Sequence, residues 1–225
     1  MTRNLGLGIA AGALFLYWMT RAREAEAQEA AAMDLPIGFF EGLTPSRRLL
    51  AYVALEKAHA AGIPAVGFVY QIYIESRFDP QAVSPAMAAG LAQFIPQAGV
   101  DYGLITMPAA KKAAYYAALQ AARAAKESTR PIDVAMIADP TTRDNRFDPG
   151  PSMDAGILFM QRMHARYSGE AEPWSLALAA YNAGPGTVDS YLNGTSILPQ
   201  ETNAYVTKIA PYYGEDPAWT GAAYG

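Results

Sequence analysis

Ile74-Glu75-Ser76-Arg77-Phe78-Asp79-Pro80, followed by Gly90-Leu91-Ala92-Gln93, sets one carboxylic acid where an apolar helical run gives way to a turn-rich loop. The run leading in, Val66-Gly67-Phe68-Val69-Tyr70-Gln71-Ile72-Tyr73-Ile74, is almost wholly apolar. A carboxylate at the end of such a run is poorly solvated, which disfavours its charged form and raises the pH at which the proton leaves. A Glu that keeps its proton near neutral pH suits general-acid cleavage of a glycosidic bond. The same Glu at a water-facing helix end would carry no chemistry, so the residues around it decide.

Two further blocks lie downstream: Ala180-Tyr181-Asn182-Ala183-Gly184-Pro185-Gly186 and Glu201-Thr202-Asn203-Ala204-Tyr205-Val206. In order with Glu75-Ser76 and the Gly90–Gln93 loop, they resemble the soluble lytic transglycosylase family, relatives of goose-type lysozyme. The resemblance runs from about Leu49 to Tyr213, with one long interruption. It implies an all-α, lysozyme-like fold and a peptidoglycan lytic transglycosylase that works with one acid; the alternatives are a muramidase that hydrolyses the same bond with water and a non-catalytic glycan-binding adaptor on the same fold. Glu75 would protonate the oxygen between N-acetylmuramic acid and N-acetylglucosamine, and the acetamido group of the substrate would steady the oxocarbenium-like centre. Glu75 would then take the C6 hydroxyl proton, closing a 1,6-anhydro ring without water.

The resemblance also implies the supporting roles. Ser76 would lie close to polar substituents of the sugar, or else cap its helix. Gln93 would meet acetamido edges, to which an amide is suited. Ala92 stands where the family carries methionine, so an apolar contact in the groove would be either lost or supplied by Phe94. Tyr181 and Asn182 would line the groove and orient Glu75 or the sugar, and Tyr205 would return towards the acid. Ser84, Gly90, Gly184 and Glu201 would be supporting residues, with Glu201 anchoring its helix. Asp148-Pro149 matches an Asp-Pro turn of the family, but Ser152 replaces its asparagine, which puts one structural hydrogen bond in doubt. Asp79, Asp101, Asp148 and Glu201 are the alternatives for a second acid, and none forms an obvious pair with Glu75.

Composition narrows the remaining options. The 225 residues carry 17 Lys and Arg against 21 Asp and Glu, a net charge of −4, and no dense basic run. Phosphate neutralisation needs clustered cations, so nucleic acid is excluded as a partner. No cysteine is present, which rules out disulfides and cysteine-ligated zinc. His59 and His164 lie far apart within helical patterns and are expected at the surface rather than on a metal. No cofactor motif is found, and none is expected. The implied partner is peptidoglycan glycan, recognised by shape because the net charge gives no steering.

From Leu5 to Met19 the chain is uncharged and apolar, flanked by Arg3 and by Arg21 and Arg23. This reads as a membrane anchor over residues 1–21, with Tyr17 and Trp18 at one interface; a cleaved signal peptide with Ala25-x-Ala27 as its site is the rival. Residues 22–43 read as a linker, with Phe39, Phe40 and Leu43 packing onto the domain, and 44–225 as the catalytic domain. The expected location is the envelope, with the domain outside the cytoplasm, or a virion. Virion or envelope-machine proteins are candidate partners.

Within the domain, Thr44-Pro45 reads as a helix start and Gly62 as its stop. Pro64 opens a helix ending near Glu75, and a short helix follows Pro96. Further helices are expected over about 153–167, 174–183, 187–192 and 202–212, with a short hairpin around 83–90 as the one strand signal. The interruption, about 104–146, holds an Ala-rich helix from about Pro108 to Lys126 and a mixed-charge turn at Thr142–Arg146. It reads either as a lobe bordering the glycan groove or as a surface helix pair.

Overall fold

The computed structural model describes residues 39–215. The anchor expected over 1–21 and most of the linker expected over 22–43 lie outside those residues. Contacts divide the chain into residues 1–42 and 43–225. Of the first unit, Phe39 and Phe40 are described, with their rings edge to face at 5.1 Å.

The second unit is helical almost throughout. Helix α1 spans Pro45–Ala60 and starts as expected, with Thr44 Oγ1 accepting from the Arg47 N–H. Gly62, at φ 71°, stops it. Helix α2, Ala65–Ser76, carries the apolar run and buries Gly67, Phe68, Val69, Gln71, Ile72 and Ser76. Its N-terminal half accepts a close neighbour. A Cβ at Gly67 would stand 2.4 Å from the Tyr213 ring, so only glycine lets that ring lie against the helix. Gln71, fully buried, takes the Tyr213 hydroxyl on Oε1 at 2.6 Å and sends Nε2 towards Met160 Sδ.

Helix α3 is Pro96–Asp101, and the interruption follows as strand β1 Ile105–Thr106, helix α4 Ala109–Ala124, helix α5 Arg130–Ala138 and strand β2 Arg143–Asp144. β1 and β2 pair antiparallel, Ile105 with Asp144 and Thr106 with Arg143, and close the neck of the lobe. The ribbon was absent from the sequence reading because two-residue strands are too short to show alternation. Helix α5 was likewise hidden behind Pro131, which sits in the first turn, where proline costs nothing. The lobe has its own apolar cluster of Val100, Ile105, Tyr115, Leu119 and Met136, with Ile132 and Ile137 at its margin. Inside it Tyr115 donates to Asp133 at 2.6 Å.

Helix α6, Pro149–Arg166, begins four residues before the expected Met153. Asp148 is extended and Pro149 takes the first helical position, so the Asp-Pro pair starts a helix rather than making a turn. Helix α7, Pro173–Ala183, buries the whole stretch Ser175–Ala180. A helix apolar on all sides belongs at the centre, and α7 packs against α6, α8 (Pro185–Leu192) and α9 (Gln200–Ile209). Its first turn is capped from afar: the Trp174 and Ser175 N–H groups donate to the Glu215 carboxylate at 2.8 and 2.6 Å. A 3₁₀ turn, Ala210–Tyr213, follows α9 and lies on α2. Among the described residues no helix is long and apolar enough to cross a membrane.

Candidate active site

Glu75 occupies the last turn of α2, and the backbone just beyond it turns sharply. Arg77 and Phe78 both adopt left-handed φ, 52° and 56°, while the Phe78 side chain is fully buried. Two consecutive non-glycine residues in that region are costly, and burial of an aromatic ring offsets the cost. The helix therefore ends at Ser76 and leaves the acid on its rim, half-buried.

Tyr205, on α9, donates its hydroxyl to Glu75 Oε1 at 2.5 Å across 130 residues of sequence. Burial raises the carboxyl pKa from its ordinary 4.5 to about 7, and the Tyr205 hydrogen bond lowers it in part. Desolvation is thus the dominant influence, with no second carboxylate contributing. Tyr181 and Tyr205 are pushed well above 10, first by burial and next by the charge of Glu75, which reaches both phenols although only Tyr205 hydrogen-bonds the acid.

The expected site residues separate into three groups. Glu75, Tyr205 and Tyr181 come together. Tyr181 also donates to the Ala92 carbonyl at 2.6 Å, tying α7 to the loop that carries Gln93. Gln93 itself has φ 48°, and its Nε2 donates to Ala82 O at 3.2 Å and Gly90 O at 2.9 Å. Both of its N–H donors are engaged within the loop, leaving Oε1 to accept. Asn182 is exposed at the end of α7, where its Oδ1 accepts from Thr202 Oγ1 at 2.7 Å.

The second group is structural. Ser84 Oγ accepts from the Ala88 N–H, which closes the turn before the loop, and bridges Val83–Ala89 and Ala89–Phe94 form the expected short hairpin. Gly90, at φ 75°, would put a Cβ 1.7 Å from the Arg146 carbonyl oxygen. Gly184, at φ 86°, ends α7 and starts α8.

The third group departs from expectation. Ser76 faces inward: it is 8% exposed and its Oγ donates to Ile72 O at 3.2 Å, so it satisfies its own helix instead of meeting a ligand. Phe94 is 4% exposed, packed against Tyr102, Phe159 and Tyr181, and acts as core beneath the loop. Glu201 is exposed in the first turn of α9, and Thr202 rather than Glu201 ties that helix to α7. Ser152 makes a hydrogen bond of its own, its Oγ accepting from the Ala92 N–H at 3.2 Å. Asp79 holds Arg47 and the Gln81 N–H, and Asp101 accepts from Tyr116.

One residue of the site went unrecognised. Arg146, at the end of the mixed-charge turn, is 3% exposed and donates to the Met87 and Phe94 carbonyls at 2.7 and 2.9 Å. Its only sequence signal was position, just before the Asp148-Pro149 pair.

Similarity to known proteins agrees with this geometry. The sequence profile described as Transglycosylase SLT domain matches residues 53–127 and 120–203, two segments that overlap over 120–127, at the end of α4. Two curated relatives are both called Membrane-bound lytic murein transglycosylase D, from Escherichia coli strain K12 and from E. coli O6:H1 strain CFT073. Each is 33% identical over 147 residues, covering 60% of this chain and 25% of the relative. The chain therefore spans about a quarter of the length of these relatives.

Proposed function

Because this chain belongs to the transglycosylase SLT family, we propose that it cleaves the β-1,4 bond between N-acetylmuramic acid and N-acetylglucosamine in peptidoglycan and leaves 1,6-anhydro ends. The observation that carries the reading is the proton of Glu75, held up to about pH 7 by burial and touched by one phenol. An acid poised near the working pH both gives and takes a proton efficiently. In the first step Glu75 donates its proton to the glycosidic oxygen as the C1–O bond of the muramic acid breaks, and the 2-acetamido group shares the positive charge at C1. In the second step the Glu75 carboxylate removes the C6 hydroxyl proton while that oxygen bonds to C1. The acid is regenerated, and bond breaking and making balance without water.

Tyr205 would serve the first step, since its hydroxyl stabilises the carboxylate that forms as the proton leaves and limits how far burial lifts the pKa. Gln93 Oε1 would accept from an acetamido N–H, its own donors being occupied. Tyr181, Asn182 and the loop backbone would shape the sugar site, with no metal or cofactor taking part. The name of the Escherichia coli relatives supports a role at the envelope, and the apolar segment of residues 1–21 supports attachment to a membrane. Local opening of the wall within a secretion apparatus or a virion fits a domain of this size.

The test is digestion of purified peptidoglycan followed by mass spectrometry. The wild type should release anhydro-muropeptides, and Glu75→Gln should release none while still binding the wall. Products heavier by one water would replace the lyase with a muramidase, and unchanged clearing by Glu75→Gln would remove Glu75 as the acid. Binding without turnover by the wild type would leave a glycan-binding adaptor on the same fold.

A further inference from the structure

The 104–146 insertion reaches the Gln93 loop chiefly through a buried cation, Arg146. Resting on the reading of the site above, we propose that Arg146 is a positioning residue that sets the shape of the Gln93 loop, and that the insertion thereby governs the glutamine and not the acid.

The guanidinium bonds one turn and one loop. Nε and Nη2 clasp the Asp144 carboxylate at 2.9 and 2.7 Å, and Nη1 donates to Met87 O and Phe94 O. Those two carbonyls bracket the segment that contains Gln93. Within that segment Met87, Gly90 and Gln93 all have positive φ, 63°, 75° and 48°. Non-glycine residues persist in such conformations only where their surroundings over-determine them. Here the surroundings are Arg146 at both ends, its carbonyl against Gly90, Ser152 on the Ala92 N–H and Tyr181 on the Ala92 carbonyl.

Asp144, the partner of the guanidinium, is itself half of the β1–β2 ribbon, paired with Ile105. The register of the lobe thus sets Asp144, Asp144 sets Arg146, and Arg146 sets the loop. A second arm runs the same way, since Arg130 at the start of α5 donates to Pro85 O on the same loop. Glu75 stands apart from this chain of contacts. Burial and the Tyr205 hydroxyl are what move its proton, and Tyr205 comes from α9.

That separation makes the test discriminating. The full chain is compared with Arg146→Lys, which keeps a cation for Asp144 but cannot reach two carbonyls and a carboxylate at once. Asp144→Asn is the second variant, nearly isosteric and loosening the same guanidinium. NMR reads hydrogen exchange at the Gln93 side-chain amide, protection of the α7 backbone amides and the Glu75 carboxyl midpoint. Muropeptide release gives kcat and KM.

The expected result for Arg146→Lys is at least tenfold faster Gln93 exchange, unchanged α7 protection and a Glu75 midpoint still near 7. Its kcat/KM should fall about tenfold at every pH, and Asp144→Asn should move the same way by less. Wild-type exchange at Gln93 in a folded Arg146→Lys protein overturns the proposal, as does protection lost equally in α7 or a displaced Glu75 midpoint. If Arg146→Lys does not fold, Asp144→Asn is judged by the same readings. A wild type without turnover, but with Gln93 exchange responding to these variants, would sink the lytic reading and leave the brace standing.

Discussion

Replacing Tyr205 by Phe tests the balance of forces on Glu75 at its most sensitive point. The wild-type carboxyl sits near 7 because burial lifts it and the Tyr205 hydroxyl, 2.5 Å from Oε1, pulls it part of the way down. A hydrogen bond to a charged group contributes ~1.5–3 kcal/mol, and each pKa unit is ~1.4 kcal/mol. Loss of the bond would raise the midpoint by ~1–2 units if nothing replaced it. Glu75 keeps some contact with solvent, so water recovers part of this and a rise of ~1 unit is expected. Carbon-detected titration of ¹³C-labelled glutamate, with Glu75→Gln identifying the signal, reads the midpoint directly. On peptidoglycan the alkaline limb of kcat/KM should move up by the same amount, while kcat falls because the carboxylate left by proton transfer to the glycosidic oxygen is less stable. A midpoint that stays put or drops in Tyr205→Phe would refute the account of the phenol. A wild-type midpoint near 4.5 would refute the account of burial.

Stability should carry the same signature. Glu75 has a folded pKa of about 7 against 4.5 unperturbed, so the folded state holds the extra proton between those values. The stability it contributes is fully present below pH ~4.5 and is lost as pH rises through ~7. The full shift corresponds to ~3 kcal/mol, and partial exposure reduces this to ~1–2 kcal/mol. Glu75→Gln should therefore flatten the Tm-versus-pH curve over that window and raise Tm at pH 8 by a few degrees. Gly90→Ala should distort the Gln93 loop, because its Cβ would meet the Arg146 carbonyl at 1.7 Å at a φ of 75°. A loss of at least ~2 kcal/mol in urea unfolding is expected, and a neutral result would contradict the packing. Glu215→Ala removes the remote cap of α7 and should cost ~1–2 kcal/mol with no change in the Glu75 midpoint, read by calorimetry and NMR titration.

Legibility of the site followed the range of the interactions. The apolar run before Glu75 was enough to infer a raised proton affinity, because desolvation depends on local composition that a contiguous stretch displays. Tyr205 was reached through resemblance of its block, and its hydrogen bond spans 130 residues, which no local pattern encodes. Ser76 and Phe94 adjoin functional residues in sequence yet turn away from them. One residue along a helix rotates a side chain by about 100°, and the left-handed kink after Ser76 redirects the chain again. Arg146 was passed over because a charged turn reads as solvated surface, whereas here it is buried against Asp144 and two carbonyls.

Helix starts and stops came from short-range chemistry and were readable residue by residue. Thr44 capping α1, Gly62 ending it and proline in the first turn of α3 all act within a few bonds of themselves. The position of α7 at the centre was also implicit in its composition, since a helix apolar on every face has to be enclosed. Only the assembled chain could decide which elements meet. Gly67 admits Tyr213 from the far end of the sequence, and Glu215 caps a helix that begins forty-odd residues earlier. The lobe grips the Gln93 loop through a buried arginine. Such contacts depend on how the ends of distant segments are aimed, and a linear pattern carries no information about aim.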